Sequence, residues 1–349
     1  MGCTADIELL GKTMLEWVSL SLLGSPVTAI DYRTDVTIPV LIRPYLDLDS
    51  EYTVVLYSDT PLITRKSVSD AIELAKINNT NVIRMTRGYV FKTDFIKSVD
   101  QIYSDSTYYF EEEDFVSACG FKQVSMVADS LKNRILTYHM NHGVHFEDPA
   151  STFIGCDVSI GSGVRIGPNN VIKGGTVIKN NVKINQGNVI EDCVIEDNAV
   201  IESSKLTLSC VGAGTSVGPF ATLRPGNVIG SSCRIGNFVE LKNCKIGDEC
   251  KLGHLVYAGD VVMGRNCNVG AGVVFANYDG KDKHATRVGD DVFIGSSSTV
   301  VAPVVLGDKS FIAAGSVVTE SVESGALAIA RSRQVVKPDY PNNKYVKGE

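Results

Sequence analysis

His254 is the one histidine in residues 236–280, GNFVELKNCKIGDECKLGHLVYAGDVVMGRNCNVGAGVVFANYDG, a run otherwise dominated by glycine, asparagine and aliphatic residues. An imidazole titrates near neutrality, which suits it to general acid–base proton transfer. A lone histidine more often packs than reacts, and the run by itself leaves both readings open. Glu240 and Lys242 are two residues apart and so share one strand face. There Glu240 either orients His254 or stands as a solvated carboxylate. Arg224 and Lys242 are cationic by type, and single basic residues at corners are usually solvated. Cys267 is a nucleophile by type, but its place in the repeat turns it inward.

A period of six positions these residues. From Ile154 the chain reads IGCDVS, IGSGVR, IGPNNV, IKGGTV, IKNNVK and INQGNV, then slips near Ile190 and Ile195. It resumes as VGAGTS, VGPFAT, LRPGNV, IGSSCR and IGNFVE, and runs through IGDECK, LGHLVY, MGRNCN and VGAGVV to close near Val318. An aliphatic first residue, frequent glycine second and a small residue fifth match neither the period of a helix nor that of a simple strand. They match a triangular parallel β-helix. Each hexad supplies a short strand and a corner, three hexads make a coil, and about nine coils stack over a continuous aliphatic core. Cys233, Cys250 and Cys267 fall at the fifth position, where a free cysteine serves as a small hydrophobe rather than a redox or metal group. The segment ANYDGKDKHATR, between Phe275 and Val288, is too long for a corner. Polar insertions from a solenoid usually lie on its binding face.

Composition sets the outer bounds. The 349-residue chain carries a net charge of -7 without basic runs, which argues against a nucleic-acid partner. No apolar run reaches the roughly 18 residues of a membrane span, and the first residues lack the pattern of a signal peptide. A cytoplasmic protein without a membrane partner is expected. The nine cysteines are scattered, odd in number and free of C-x-x-C spacing, so they read as reduced thiols. Two domains are expected: an α/β domain over 1–145 and a β-helix with a C-terminal tail over 146–349. In the first, SEYTVVLYSDTPLIT reads as a strand ending at Asp59 and Pro61, while RKSVSDAIELAKI and VADSLKNRILTYHMNHGV read as helices.

PFATLRPGNVIG, GNFVELKN, GHLVYAGD, NVGAGVVFANYDG, GDDVFIGSSS and ALAIARSRQ together resemble the acetyltransferase half of a bacterial family. Its members are the bifunctional N-acetylglucosamine-1-phosphate uridylyltransferase / glucosamine-1-phosphate N-acetyltransferase enzymes, and the likeness covers about residues 148–337. It implies a left-handed β-helix that forms a homotrimer, with the active site between neighbouring prisms. It also implies acetyl-CoA as cosubstrate and direct N-acetylation of glucosamine-1-phosphate, a step toward UDP-N-acetylglucosamine, with no acyl-enzyme. Matched residue by residue, the family's catalytic base falls on His254 and its sugar-phosphate contacts on Arg224, Lys242, Tyr257 and Asn268. Its acyl-donor contacts fall on Ala271, Asn277, Tyr278, Ser296, Ala314 and Arg331. Lys283 either assists with phosphate or is an ordinary loop lysine. Two alternatives remain beside this reading: an acyltransferase with another amino-sugar or sugar-nucleotide acceptor, and a non-catalytic sugar-nucleotide-binding scaffold.

GKTMLEWV, LYSDTPLIT and GYVFKTDFI resemble pieces of the nucleotidyltransferase domain of the same family. That likeness implies Asp59 as the match of an aspartate that helps to hold a metal ion and the sugar nucleotide. The family's glycine-rich phosphate loop and its lysine have no counterpart here, and GFKQVS puts Lys122 and Gln123 where the family has metal-holding asparagines. The domain reads as a truncated remnant, with uridylyl transfer weak or lost, no requirement for Mg2+, and a role in covering the open end of the solenoid.

Overall fold

The computed structural model describes residues 6–27, 30, 50–99 and 112–338. They fall into two compact units, one drawn from Met1–His142 and Phe153–Val158, the other from Gly143–Thr152 and Ser159–Glu349.

The first unit is mixed α/β. Helix Met14–Leu22 begins at a capping box in which Thr13 Oγ1 accepts the Glu16 N–H and the Glu16 carboxylate accepts the Thr13 N–H. Helix Arg65–Asn78 is capped by Thr64 and stopped by Asn79, which takes the left-handed conformation at φ 51°. Strand Tyr52–Val55 pairs antiparallel with Gly88–Lys92, which in turn pairs antiparallel with Val82–Met85. Val18, Ile63, Val68, Ile72, Ile83, Met85 and Val90 close one core between these elements. The last helix spans Phe121–Asn141, so it starts earlier than the segment from Val127 that the apolar spacing suggests. GFKQVS is thereby its cap and first turn, with Lys122 and Gln123 exposed.

The second unit is a parallel β-solenoid. One sheet runs through 9 strands from Ser159–Ile160 to Val305–Leu306, and a second through 11 strands from His145–Phe146 to Leu327–Ala328. The third rises from Val171–Lys173 to Val317–Val318. The inward residue of each short strand stacks on its equivalent one coil away: Val217, Ile235, Leu252, Val269 and Ile294 form one such ladder. Each of these is buried and contributes about 1.5–3 kcal/mol. Where a coil carries Phe275 inside, its neighbour below supplies Ala258, and both are fully buried. Polar ladders satisfy corner backbone. Asn188 donates its backbone N–H and its side-chain amide to Asn170 Oδ1, and accepts the Ser204 N–H at its own Oδ1.

Cys233, Cys250 and Cys267 are buried, and their thiols donate to the carbonyls of Gly247, Gly264 and Gly289 at 3.1, 3.0 and 3.1 Å. The solenoid continues past the expected end at Val318 and exceeds nine coils. Leu327–Ala328 pairs with Phe311–Ile312, and Val317 N–H donates to the Ala330 carbonyl. The last turn keeps its backbone bonds without the aliphatic first residue on which the hexad pattern depends. Among the described residues, no helix is long and apolar enough to cross a membrane.

Glycine at the second hexad position reflects how closely coils approach. A Cβ on Gly236 would stand 1.9 Å from the Gly253 carbonyl oxygen. Gly236→Ala is expected to cost about 1–3 kcal/mol through forced separation of the coils, read as a lower urea midpoint at unchanged slope. An unchanged midpoint would show that the coils yield freely there.

Candidate active site

Two columns of side chains climb neighbouring parts of the solenoid. The first follows one corner, where Leu255 N–H donates to the Asn237 carbonyl and Gly272 N–H to the His254 carbonyl. Higher up, Ser297 N–H donates to the Ala271 carbonyl, Gly315 N–H to the Ser296 carbonyl, and Arg331 Nη1 to the Ala314 carbonyl at 2.7 Å. Asn237, His254, Ala271, Ser296, Ala314 and Arg331 therefore stack in order along a single edge. The small residues above His254 leave a continuous path of exposed backbone.

The second column lies on the sheet that follows this corner. Strand Glu240–Lys242 pairs in register with Tyr257–Gly259, placing Glu240 beside Tyr257 and Lys242 beside Gly259. The preceding coil sets Thr222 beside Glu240 and carries Arg224 at the next outward position. A cavity of about 410 Å³ opens here, lined by Lys205, Thr207, Thr222, Arg224 and Glu240 among others, a size within the range of small-molecule sites. Lys283, reaching in from the insertion, and then Arg224 hold the Lys242 ammonium below its ordinary pKa. Asp260 opposes this effect.

The insertion is ordered by its own bonds. Asp279 accepts the backbone N–H groups of Lys281 and Asp282, and its other oxygen meets His284 Nε2 at 2.7 Å. His284 and those amides hold the Asp279 carboxyl well below the usual range. Tyr278, its hydroxyl donating to the Gly280 carbonyl, bridges to Lys283. Asn277 is buried and donates to Asp260 Oδ2 at 2.6 Å, while Asn243 donates to Asp260 Oδ1 at 2.7 Å. Burial opposes the charge on Asp260, yet these amides and the ammonium groups of Lys242 and Lys283 hold its carboxyl below the usual range. Gly259 has no room for a side chain: a Cβ would meet Asn277 Nδ2 at 2.6 Å and Tyr257 Oη at 2.8 Å. The insertion is thus seated against the second column.

One expected pairing is corrected. Glu240 does not orient His254; it pairs with Arg224 at 3.2 Å, because its strand lies beyond the corner that carries His254. The partner of His254 is Asn237, whose Oδ1 meets Nδ1 at 3.1 Å. When Nδ1 donates to this oxygen in the neutral ring, Nε2 is the nitrogen left to accept a proton. Asn268 stands on a different sheet from Arg224, Lys242 and Tyr257, between Lys251 and Phe293. Asn237, Gly259 and Asp260 escaped sequence reasoning. The usable signal for Asn237 was its offset of 17 residues from His254, one coil.

An apolar ridge flanks the first column. Phe220, Phe238 and Leu255 occupy successive corners in the left-handed conformation at φ 59°, 55° and 54°, and each is more than half exposed. The two phenyl rings stack at 5.5 Å. Bulky side chains adopt that conformation at a cost of about 1–2 kcal/mol each, and more than half of each remains exposed.

Comparison with known proteins agrees with this architecture. The hexapeptide repeat of succinyl-transferase matches residues 285–320. The bifunctional protein GlmU of Latilactobacillus sakei is 48% identical over 217 residues, covering 62% of this chain and 47% of its own length. The bifunctional protein GlmU of Acetivibrio thermocellus is 35% identical, covering 85% of this chain and 79% of its own. The chain thus spans about half the length of the Latilactobacillus relative. Among solved structures, LpxA of Acinetobacter baumannii is 18% identical with a TM-score of 0.32, covering 53% of this chain and 69% of its own.

Asp260→Ala removes the acceptor for Asn277. Amide hydrogen exchange over residues 277–284 is expected to quicken about tenfold or more, while the buried strands keep their protection. Unchanged exchange in that segment would mean that the insertion is held by its internal bonds alone.

Proposed function

The chain belongs to the family of the bifunctional protein GlmU, and from that premise we propose that its solenoid transfers the acetyl group of acetyl-CoA to the amine of glucosamine-1-phosphate. The product, N-acetylglucosamine-1-phosphate, is a step toward UDP-N-acetylglucosamine. The observation that supports the proposal is the single edge that carries His254 with Ala271, Ser296, Ala314 and Arg331, on the coils whose following strands bear Lys242 and Tyr257.

In this reading the phosphate binds Arg224, Lys242 and Lys283, and the Glu240 carboxylate gives up part of its hold on Arg224. Tyr257 and Asn268 meet the sugar. The pantetheine arm lies along Ala271, Ser296 and Ala314, where exposed backbone amides can pair with its own, and Arg331 meets the phosphates of the coenzyme. Asn277 and Tyr278 close over the thioester end. His254 Nε2 takes a proton from the ammonium form of the 2-amino group, and the freed amine attacks the acetyl carbonyl. The tetrahedral adduct collapses with cleavage of the C–S bond, and the remaining extra proton on nitrogen passes to the departing thiolate, so that coenzyme A leaves as the thiol. The contact between Asn237 Oδ1 and Nδ1 supports a role for Asn237 in orienting the imidazole. The ridge of Phe220, Phe238 and Leu255 beside His254 favours a homotrimer whose copies cover it.

Thiol release from acetyl-CoA, followed with glucosamine-1-phosphate and separately with glucosamine-6-phosphate, tests the proposal. Release with the 1-phosphate alone is expected. Equal release with both would move the acceptor to another amino sugar, and release with neither would leave a binding scaffold.

A further inference from the structure

The α/β unit contains a polar cluster that acetyl transfer does not use. Asp59 follows strand Tyr52–Val55, and its carboxylate is gripped from several directions. Arg87 donates from Nε to Oδ1 at 3.0 Å and from Nη2 to Oδ2 at 2.7 Å, a bidentate fork. The Ser117 hydroxyl donates to Oδ2 at 2.7 Å, and the Cys119 thiol reaches the same oxygen at 3.2 Å. The Arg87 guanidinium lies 4.7 Å from the centre of the Tyr57 ring, which fixes its plane. The Asp59 side chain is only 15% exposed. Burial opposes its charge, but the Arg87 fork, Ser117 and Cys119 outweigh that and hold the carboxyl below the usual range.

The family likeness implies a metal ion at this aspartate, and the residues present do not fit one. A divalent cation needs carboxylate lone pairs turned toward it and further neutral or anionic oxygen donors around it. Both oxygens of Asp59 are already committed, and the nearest cationic group is covalently part of the chain. An arriving dication would have to break the fork and then sit beside an unpaired guanidinium. Lys122 adds a second positive charge to the segment that would supply oxygen donors in the family. Among the described residues, no group of three or more His, Cys, Asp or Glu side chains is arranged to hold a metal ion.

We infer that Arg87 has taken the cation's place at Asp59, so that this unit carries a permanent guanidinium–carboxylate pair and performs no metal-dependent nucleotidyl transfer. The pair is a structural tie between the segment after strand Tyr52–Val55 and the turn before strand Gly88–Lys92. Ser117 and Cys119 bring a third segment onto the same carboxylate, and Ala118 N–H donates to the Asp59 carbonyl at 2.8 Å. The inference is independent of the acetyl-transfer reading, since none of these residues belongs to the solenoid unit.

The full chain is titrated with MnCl2 while free Mn2+ is read by electron paramagnetic resonance. Thermal unfolding is then compared with Mn2+ alone, with UTP alone and with both. Free Mn2+ is expected to track total Mn2+, and the midpoint with UTP and Mn2+ is expected to equal that with UTP alone. A site occupied at 100 times its dissociation constant would shift the folding equilibrium about 100-fold, so a real site cannot escape this measurement. Stoichiometric Mn2+ binding that Asp59→Asn abolishes would overturn the inference. A second readout follows the pair itself: the losses in stability from Asp59→Asn and Arg87→Ala should be strongly non-additive in the double variant, and simple additivity would contradict the pairing. If a single variant fails to fold, the wild-type titration decides alone.

Discussion

Parallel, in-register stacking of coils mostly 16 to 18 residues apart, and 25 across the insertion, is the constraint on which the solenoid and its candidate site depend. Every strand is too short to hold a register by itself, so register comes from the ladders of inward Ile, Val and Leu and from corner asparagines bonded to the next coil. A slip of one residue would turn each ladder outward. The same slip would scatter Asn237, His254, Ala271, Ser296, Ala314 and Arg331, which share an edge only because their coils align. Core and chemistry are thus fixed by one set of contacts.

The period of six made the core legible, since it states which residue of each hexad points inward, and it explained the buried cysteines. It also exposed the insertion after Phe275 as an interruption. What it concealed were relations between coils. Glu240 and Lys242 share a strand face, but which partner Glu240 takes depends on the corner that separates its strand from His254, and the carboxylate turns to Arg224 in the coil below. Asn237 and Asp260 carry no motif; their roles appear only once residues one coil apart are adjacent. Leu327–Ala328 went unseen because its coil keeps the backbone bonds of the repeat and drops its aliphatic marker. The early start of helix Phe121–Asn141 was hidden because the first three residues of its first turn are exposed and add no apolar face.

The two units handle cations in opposite ways. On the solenoid, Lys242 and Lys283 crowd together without a dedicated carboxylate each, and Asp260 is shared between them and two amides. That leaves positive charge available to an anion. In the α/β unit, Arg87 is committed to Asp59 in a bidentate fork, and its charge is balanced within the fold. An ion pair that closes on itself organises structure, whereas cations held close without full neutralisation create a binding site. This difference in electrostatics is consistent with the proposed chemistry on the solenoid and the inferred structural tie at Asp59.

The claim at the centre of this account is that His254, with its Nδ1 proton directed to Asn237, supplies the base for amine attack. Steady-state turnover of His254→Ala with saturating acetyl-CoA and glucosamine-1-phosphate, with the thermal midpoint as control for folding, tests it most directly. The account predicts a loss of about 10²-fold or more at an unchanged midpoint. Turnover equal to that of the wild type would contradict it and return His254 to the status of a corner residue that the coil merely tolerates.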